Sequence, residues 1–247
     1  MYGYIEWTEH VRKPKVTERE IFGVRFRCIQ IPRRGTPGFL QRRTFLRGAR
    51  QLQREGVTRA VFPEVFPWKA LFEQQNIRPA DPTPLYRAMA AELVQHRLAG
   101  RGGKDNSVAV CAPRLNDDVR RLVTELCIRN RYVMLAVPER SDEFCRKLRR
   151  EYGVSLVQTS DISGAAAAVR FSPDMESCGE NIDLFPEAEP PREELRLSDE
   201  VEAQLPAECN RQQLLAALYG AGAVRWQEIR IFDPSTAKMI GSQGEKP

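Results

Sequence analysis

Ser107-Val-Ala-Val-Cys-Ala112, stopped by Pro113, and Tyr132-Val-Met-Leu-Ala-Val137, stopped by Pro138, are two short apolar runs. Runs of this length, without alternating polar residues, suit strands buried on both faces of a parallel sheet. The segment between them has the signals of a helix. Asn116 is placed to cap it, and Asp117 and Asp118 occupy the first turn, where the helix dipole favours acids. Val119, Leu122, Val123 and Leu126 recur with helical spacing. After the second run, Ser141 is placed to cap a further helix that begins with Asp142 and Glu143 and carries Arg146, Lys147, Arg149 and Arg150 in its later turns. Gly153 stands where a left-handed terminal residue is wanted. Residues 154–158 and 165–171 read as a third and a fourth strand. Strands alternating with helices at this spacing need crossover connections, which favour parallel pairing.

Outward from this core toward the N-terminus, the same alternation continues. Residues 24–31 alternate as a strand, Thr36 and Pro37 open a helix running to about Glu55, and Gly56 ends it. Residues 57–62 form a strand stopped by Pro63, a short helix covers 67–75, and Thr83-Pro84 starts a longer helix closing at Gly100. The expected fold is therefore α/β and Rossmann-like, a mostly parallel sheet with helices on both faces. The halves invite comparison as two βαβ units, because Pro32-Arg33 matches Pro113-Arg114 and Pro63-Glu64 matches Pro138-Glu139. The proline spacings differ, at 31 and 25 residues. Gly100-Arg-Gly-Gly-Lys-Asp105 reads as the main linker. The organisation predicted is an N-terminal α/β half (1–103), the Rossmann-like half (104–175) and a C-terminal extension (176–247). In that extension Ser198 is placed to cap a short acidic helix, residues 211–219 form another, residues 227–232 suit an edge strand, and residues 235–247 fray.

The formal charge of +5 conceals a gradient. Residues 1–103 hold 19 Lys/Arg against 9 Asp/Glu, residues 104–175 hold 12 against 10, and residues 176–247 hold 7 against 14. A basic front can serve an anionic ligand or be neutralised by the acidic back. No apolar run approaches the ~20 residues of a membrane span. The opening Met1-Tyr2-Gly3-Tyr4-Ile5-Glu6 lacks the pattern of a secretory signal, so a cytoplasmic protein is expected. The six cysteines are scattered with no Cys-x-x-Cys, and His10 and His96 are the only histidines. Reduced thiols and no metal site follow.

A dinucleotide-binding unit leads its first strand into a glycine-rich turn so that pyrophosphate can approach backbone amides at a helix start. Here the turn is Cys111-Ala-Pro-Arg-Leu-Asn-Asp-Asp118, without glycine, with an amide removed at Pro113 and two acids where phosphate would sit. No nucleotide cofactor is expected. Glu139-Arg140-Ser141, at the end of the second strand, resembles the Asn-Arg-Thr turn by which shikimate-dehydrogenase-like domains hold an NADP phosphate. That resemblance implies a divergent NADP-linked or other nucleotide-using enzyme as an alternative; it covers three residues.

The stronger anion candidate is Pro32-Arg-Arg-Gly-Thr-Pro-Gly38: Arg33 and Arg34 end a strand, Gly35 allows close backbone approach, and Thr36 opens a helix. With Arg114 as a further cation, and with Glu64, Glu139, Arg140 and Ser141 at strand ends, these residues define the expected site for a small anionic ligand. Arg43, Arg47, Arg50 and Arg54 fall on one helical stripe, with the apolar Phe45, Leu46, Ala49 and Leu52 on roughly the opposite side. A solvated face is the economical reading of that stripe, and nucleic acid is disfavoured as a partner because no helix-turn-helix, RNP or KH signature accompanies it. With no Gly-x-Ser-x-Gly elbow and histidines in surface-like settings, the sequence leans away from an enzyme and names no catalytic residue. A basic nucleic-acid-binding module using the Arg43 to Arg54 stripe is a second alternative, and a scaffold role resting on the acidic C-terminal third is a third.

Overall fold

The computed structural model describes residues 1–9, 11–33, 38–99, 107–186 and 188–232. In chain order its elements are β1 (Tyr2–Thr8), β2 (Lys15–Ile21), β3 (Val24–Pro32), α1 (Phe39–Arg54), β4 (Arg59–Val61), α2 (Lys69–Glu73), β5 (Arg78–Pro79), α3 (Thr83–Ala88) and α4 (Ala90–Ala99). There follow β6 (Ser107–Cys111), α5 (Asp117–Arg129), β7 (Tyr132–Ala136), α6 (Asp142–Tyr152), β8 (Leu156–Gln158), β9 (Ala167–Arg170) and β10 (Asn181–Asp183). Last come β11 (Glu194–Arg196), α7 (Asp199–Glu202), α8 (Arg211–Gly220) and β12 (Arg230–Phe232). The linker at 100–105, His10 and the fraying segment 235–247 lie outside the described residues. No helix among the described residues is long and apolar enough to cross a membrane.

The chain is α/β and Rossmann-like, and it divides into two compact units. Unit 1 comprises Met1–Pro82 and Leu195–Arg230; unit 2 comprises Thr83–Glu194, joined by Ile231 and Phe232. The division at Pro82 precedes the glycine-rich 100–105 stretch, and of the C-terminal third the segment Leu195–Arg230 returns to unit 1.

Unit 2 holds a five-stranded sheet in the order β10-β9-β6-β7-β8, parallel throughout. Its first strand is central, the next two lie to one side and the last two to the other, which is the Rossmann order. The register pairs Val108 with Val133 and Val110 with Val169. Every residue of β6 is buried, as its apolar run requires. One sheet face is built from small side chains, Ala109, Cys111 and Ala168, packed with Ile162, Ala165 and Met134. The helix signals hold at two points: Asn116 Oδ1 accepts the Val119 N–H at 3.0 Å, and Gly153 ends α6 at φ 67°. Ser141 and Ser198 precede α6 and α7 but make no side-chain cap bond, contrary to expectation.

Unit 1 holds a mixed sheet in the order β2-β3-β1-β4-β5, in which only the β2–β3 pairing is antiparallel. Its central strand is β1, formed by a segment whose sequence gives no strong strand signal. The reason is partly Gly3: a Cβ there would meet Val57 Cγ1 at 2.8 Å and Ala60 Cβ at 3.2 Å, so a residue poor in strand propensity is required at the heart of the sheet. The inner face of α1, with Phe45, Ala49 and Leu52, packs in one core with Ile29 and Ile31 of β3. The matched Pro-Arg turns do not correspond in the two sheets. Pro32 ends a strand beside the centre, with β3 and β4 flanking β1, whereas Pro113 follows the central β6, with β7 adjacent to it.

Candidate functional site

In unit 2, the turn after β6 is where a Rossmann fold offers amides to phosphate. Here one of those amides already has an anion: the Glu139 carboxylate, from the end of β7, accepts the Leu115 N–H. Arg120 Nε donates to the Leu115 carbonyl at 3.1 Å, so both backbone groups of Leu115 are engaged within the unit. Ser141 is 2% exposed, and its hydroxyl donates to Gln158 Oε1 at 2.7 Å. Gln158 Nε2 in turn donates to the Glu139 carbonyl at 2.9 Å. The Glu139-Arg140-Ser141 turn is thus laced to the end of β8, and the Ser141 hydroxyl meets Gln158 and, at 3.6 Å, Cys145 Sγ rather than a first-turn amide of α6. No sequence signal marked Gln158, since its partners lie 17 and 19 residues away. Arg114 and Arg140 project from exposed positions on these turns.

A cleft of about 390 Å³ opens at the carboxyl ends of β7 and β8, beside the loop after β9. Its apolar wall includes Ala136, Pro138 and Met175, while Thr159, Asp174 and Glu176 are among its polar groups. Among the described residues that line it there is no basic side chain, so its chemistry is unsuited to an anion. The Thr159 hydroxyl is already engaged, accepting the Asp161 N–H at 3.1 Å. Beneath this end of the sheet, Arg170 clasps Asp183 with two bonds of 2.6 and 2.8 Å.

In unit 1, Arg33 and Glu64 follow β3 and β4. The Arg33 N–H donates to the Thr8 carbonyl at 2.7 Å, extending the ladder one residue past β3. Its guanidinium lies 5.0 Å above the Trp7 ring. Trp7 packs edge-on against Phe66, which also meets Phe45, Phe62 and Phe72, so the cation rests on a rigid aromatic cluster. The Trp7 indole N–H is buried without an acceptor among the described residues. Gly38 is the N-cap of α1 and supplies no side-chain bond, and the first turn holds no acid. Glu64 is exposed. Arg34, Gly35 and Thr36 lie outside the described residues. The predicted site residues therefore fall in both units, with Arg33 and Glu64 in unit 1 and Arg114, Glu139, Arg140 and Ser141 in unit 2.

The thiols show no nucleophile-activating environment among those whose titration is perturbed. Burial pushes Cys28, Cys111 and Cys127 up to about 11, and it raises Cys209 as well. Among the described residues, no group of three His, Cys, Asp or Glu could hold a metal ion. The chain matches no protein-family model and no curated protein.

Proposed function

We propose that the protein binds a small anion, a phosphate or carboxylate group, at the carboxyl ends of β1 and β3, with Arg33 as its principal contact and without a nucleotide cofactor. The observation that carries this reading is the Arg33 guanidinium, stacked on Trp7 with no carboxylate partner among the described residues. Stacking fixes the plane of a guanidinium and leaves its N–H edge free for bidentate bonds to an oxyanion. Arg34, Gly35 and Thr36 continue the chain toward the start of α1 and suit the same ligand by residue type. The competing location, the turn after β6, is disfavoured because Glu139 supplies a negative charge at its Leu115 amide. The same contact argues against NADP held in the usual Rossmann manner.

The test is thermal stabilisation by inorganic phosphate and by citrate, measured in the full chain. A ligand at one hundred times its dissociation constant stabilises by about 2.7 kcal/mol. Arg33→Gln should abolish the shift, while Arg114→Gln should leave it unchanged. Equal stabilisation of Arg33→Gln and the parent, or a shift produced by NADPH instead, would sink the proposal.

A further inference from the structure

A second basic feature follows the Arg33 segment in the chain. The helix α1 runs for sixteen residues with five arginines and no acidic residue. Taking Phe39 as zero and about 100° per residue, Arg43, Arg47, Arg50 and Arg54 fall at roughly 40°, 80°, 20° and 60°. All four are exposed. Phe39 and Leu40, at about 0° and 100° on the same reckoning, flank this stripe and are 74% and 77% exposed. The face behind them is fixed, because Phe45, Ala49 and Leu52 are fully buried. A Cβ on Gly48 would already meet Ile31 at 3.4 Å.

The arginine stripe has no internal counter-charge. Several cations elsewhere in unit 1 are partnered, among them Arg19 with Glu6 at 3.5 Å, Arg27 with Glu18 at 2.6 Å, and Arg211 with Glu202 at 3.1 Å. Glu55, the acid next to Arg54 in sequence, is held by Arg27 at 3.5 Å. None of the four stripe guanidiniums pairs with a carboxylate among the described residues. Like charges at i,i+3 and i,i+4 destabilise a helix by a few tenths of a kcal/mol per pair, and a face serving only for solvation is stabilised by interspersed glutamates. The repulsion is relieved when a polyanion lies along the stripe.

We propose that the outward face of α1 is a docking strip for single-stranded nucleic acid, with Arg43, Arg47, Arg50 and Arg54 on consecutive backbone phosphates and Phe39 stacking on a base. At 1.5 Å per residue the four arginines extend over about 16 Å, a row rather than a point. Guanidiniums bind phosphate oxygens in a bidentate manner. An exposed aromatic at one end of a basic row is the arrangement that holds unpaired bases without sequence preference. An anionic membrane fits less well. The apolar contribution is confined to Phe39 and Leu40 in the first turn, and the buried face of α1 cannot turn outward to enter a bilayer.

The experiment measures fluorescence anisotropy of a labelled oligothymidylate titrated with the full chain across a salt series, with a duplex of equal length and phosphatidylserine vesicles in parallel. The chain with all four arginines replaced by glutamine should bind the oligonucleotide at least about ten-fold more weakly. The slope of log affinity against log salt should fall by nearly three, since each phosphate contact contributes about 0.7 on a single strand. Phe39→Ala should weaken the single strand several-fold and leave the duplex unaffected. Replacement of Arg146, Lys147, Arg149 and Arg150 of α6 by glutamine, an equal loss of four exposed charges, should have little effect. Replacement of the four arginines by lysine retains the charge and should keep the salt slope. Unaltered binding by the four-glutamine chain with native circular dichroism would overturn the proposal, as would vesicle binding without oligonucleotide binding, or no binding at low salt.

Discussion

Glu139 shows how a single side chain can settle what a turn is able to bind. Its carboxylate meets the Leu115 N–H, and its backbone carbonyl receives Gln158, so the residue closes the turn after β6 from within. The thiols carry a prediction at the same scale. Buried Cys28, Cys111 and Cys127 titrate near 11 and Cys209 is also raised, while Cys145 and Cys178 are only half-buried. Iodoacetamide at mildly alkaline pH should therefore label Cys145 and Cys178 in the native protein and the other four only after unfolding. Mass mapping of the alkylated peptides decides it, and early modification of Cys111 would contradict the packing described. Residue-level reading of the sequence succeeded where the partner is local. Asn116 caps a backbone amide three residues away, whereas Ser141 donates to a glutamine seventeen residues away, a partner that no local pattern reveals.

At the scale of elements, α5 and α6 depend on terminal residues of different kinds. Asn116→Ala should destabilise unit 2 by about 1 kcal/mol through loss of the cap. Gly153→Ala should cost about 1 kcal/mol or more, because φ of 67° places Cβ against the following carbonyl. Urea titrations of the two variants check both values, and a stabilising Gly153→Ala would show that α6 ends differently. The strand β6 was legible because burial on both faces leaves an unbroken apolar run; β7 was legible from its apolar run as well, although one of its faces is only half-buried and Tyr132 on it is exposed. By contrast β1 was not, since Gly3 and Glu6 interrupt it for reasons that lie in its neighbours: Val57 and Ala60 crowd Gly3, and Gln30 and Arg19 satisfy Glu6. The anion candidate after β3 was legible as composition, but its aromatic support was not. Trp7 belongs to β1 and Phe66 to the segment between β4 and α2, and β1 and β4 are neighbours in the sheet, a proximity that no local pattern reveals.

At the scale of the whole molecule, unit 2 is fastened by an ion pair that the charge gradient did not foretell. Arg97, near the end of α4, makes bonds of 2.6 and 2.9 Å to Glu193 and a further bond to the Asn181 carbonyl. The two side chains are 6% and 1% exposed. Burial alone would raise the Glu193 carboxyl, but the Arg97 hydrogen bonds and charge hold it below its ordinary value of 4.5. A lowered native value means stability that is present above the unfolded value and lost as pH falls through the native one. Glu193→Gln should accordingly flatten the acid limb of the stability curve below about pH 4.5, and Arg97→Met should cost about 3–5 kcal/mol at neutral pH by stranding the carboxylate. Denaturant melts at neutral and acid pH test both, and an unchanged acid limb in Glu193→Gln would remove this pair from the account. The division of the chain has a consequence for synthesis. Unit 1 is interrupted at Pro82 and resumes at Leu195, and Phe62 at the end of β4 has its N–H received by Gln213 at 2.9 Å and its carbonyl bonded by the Asn210 N–H at 2.8 Å. At about 5–20 residues per second the ribosome delivers the whole Thr83–Glu194 segment of unit 2 before those two groups find their partners. The strand end at Phe62, translated early, thus waits for α8, and a nascent chain halted before α8 would present that open strand end to chaperones.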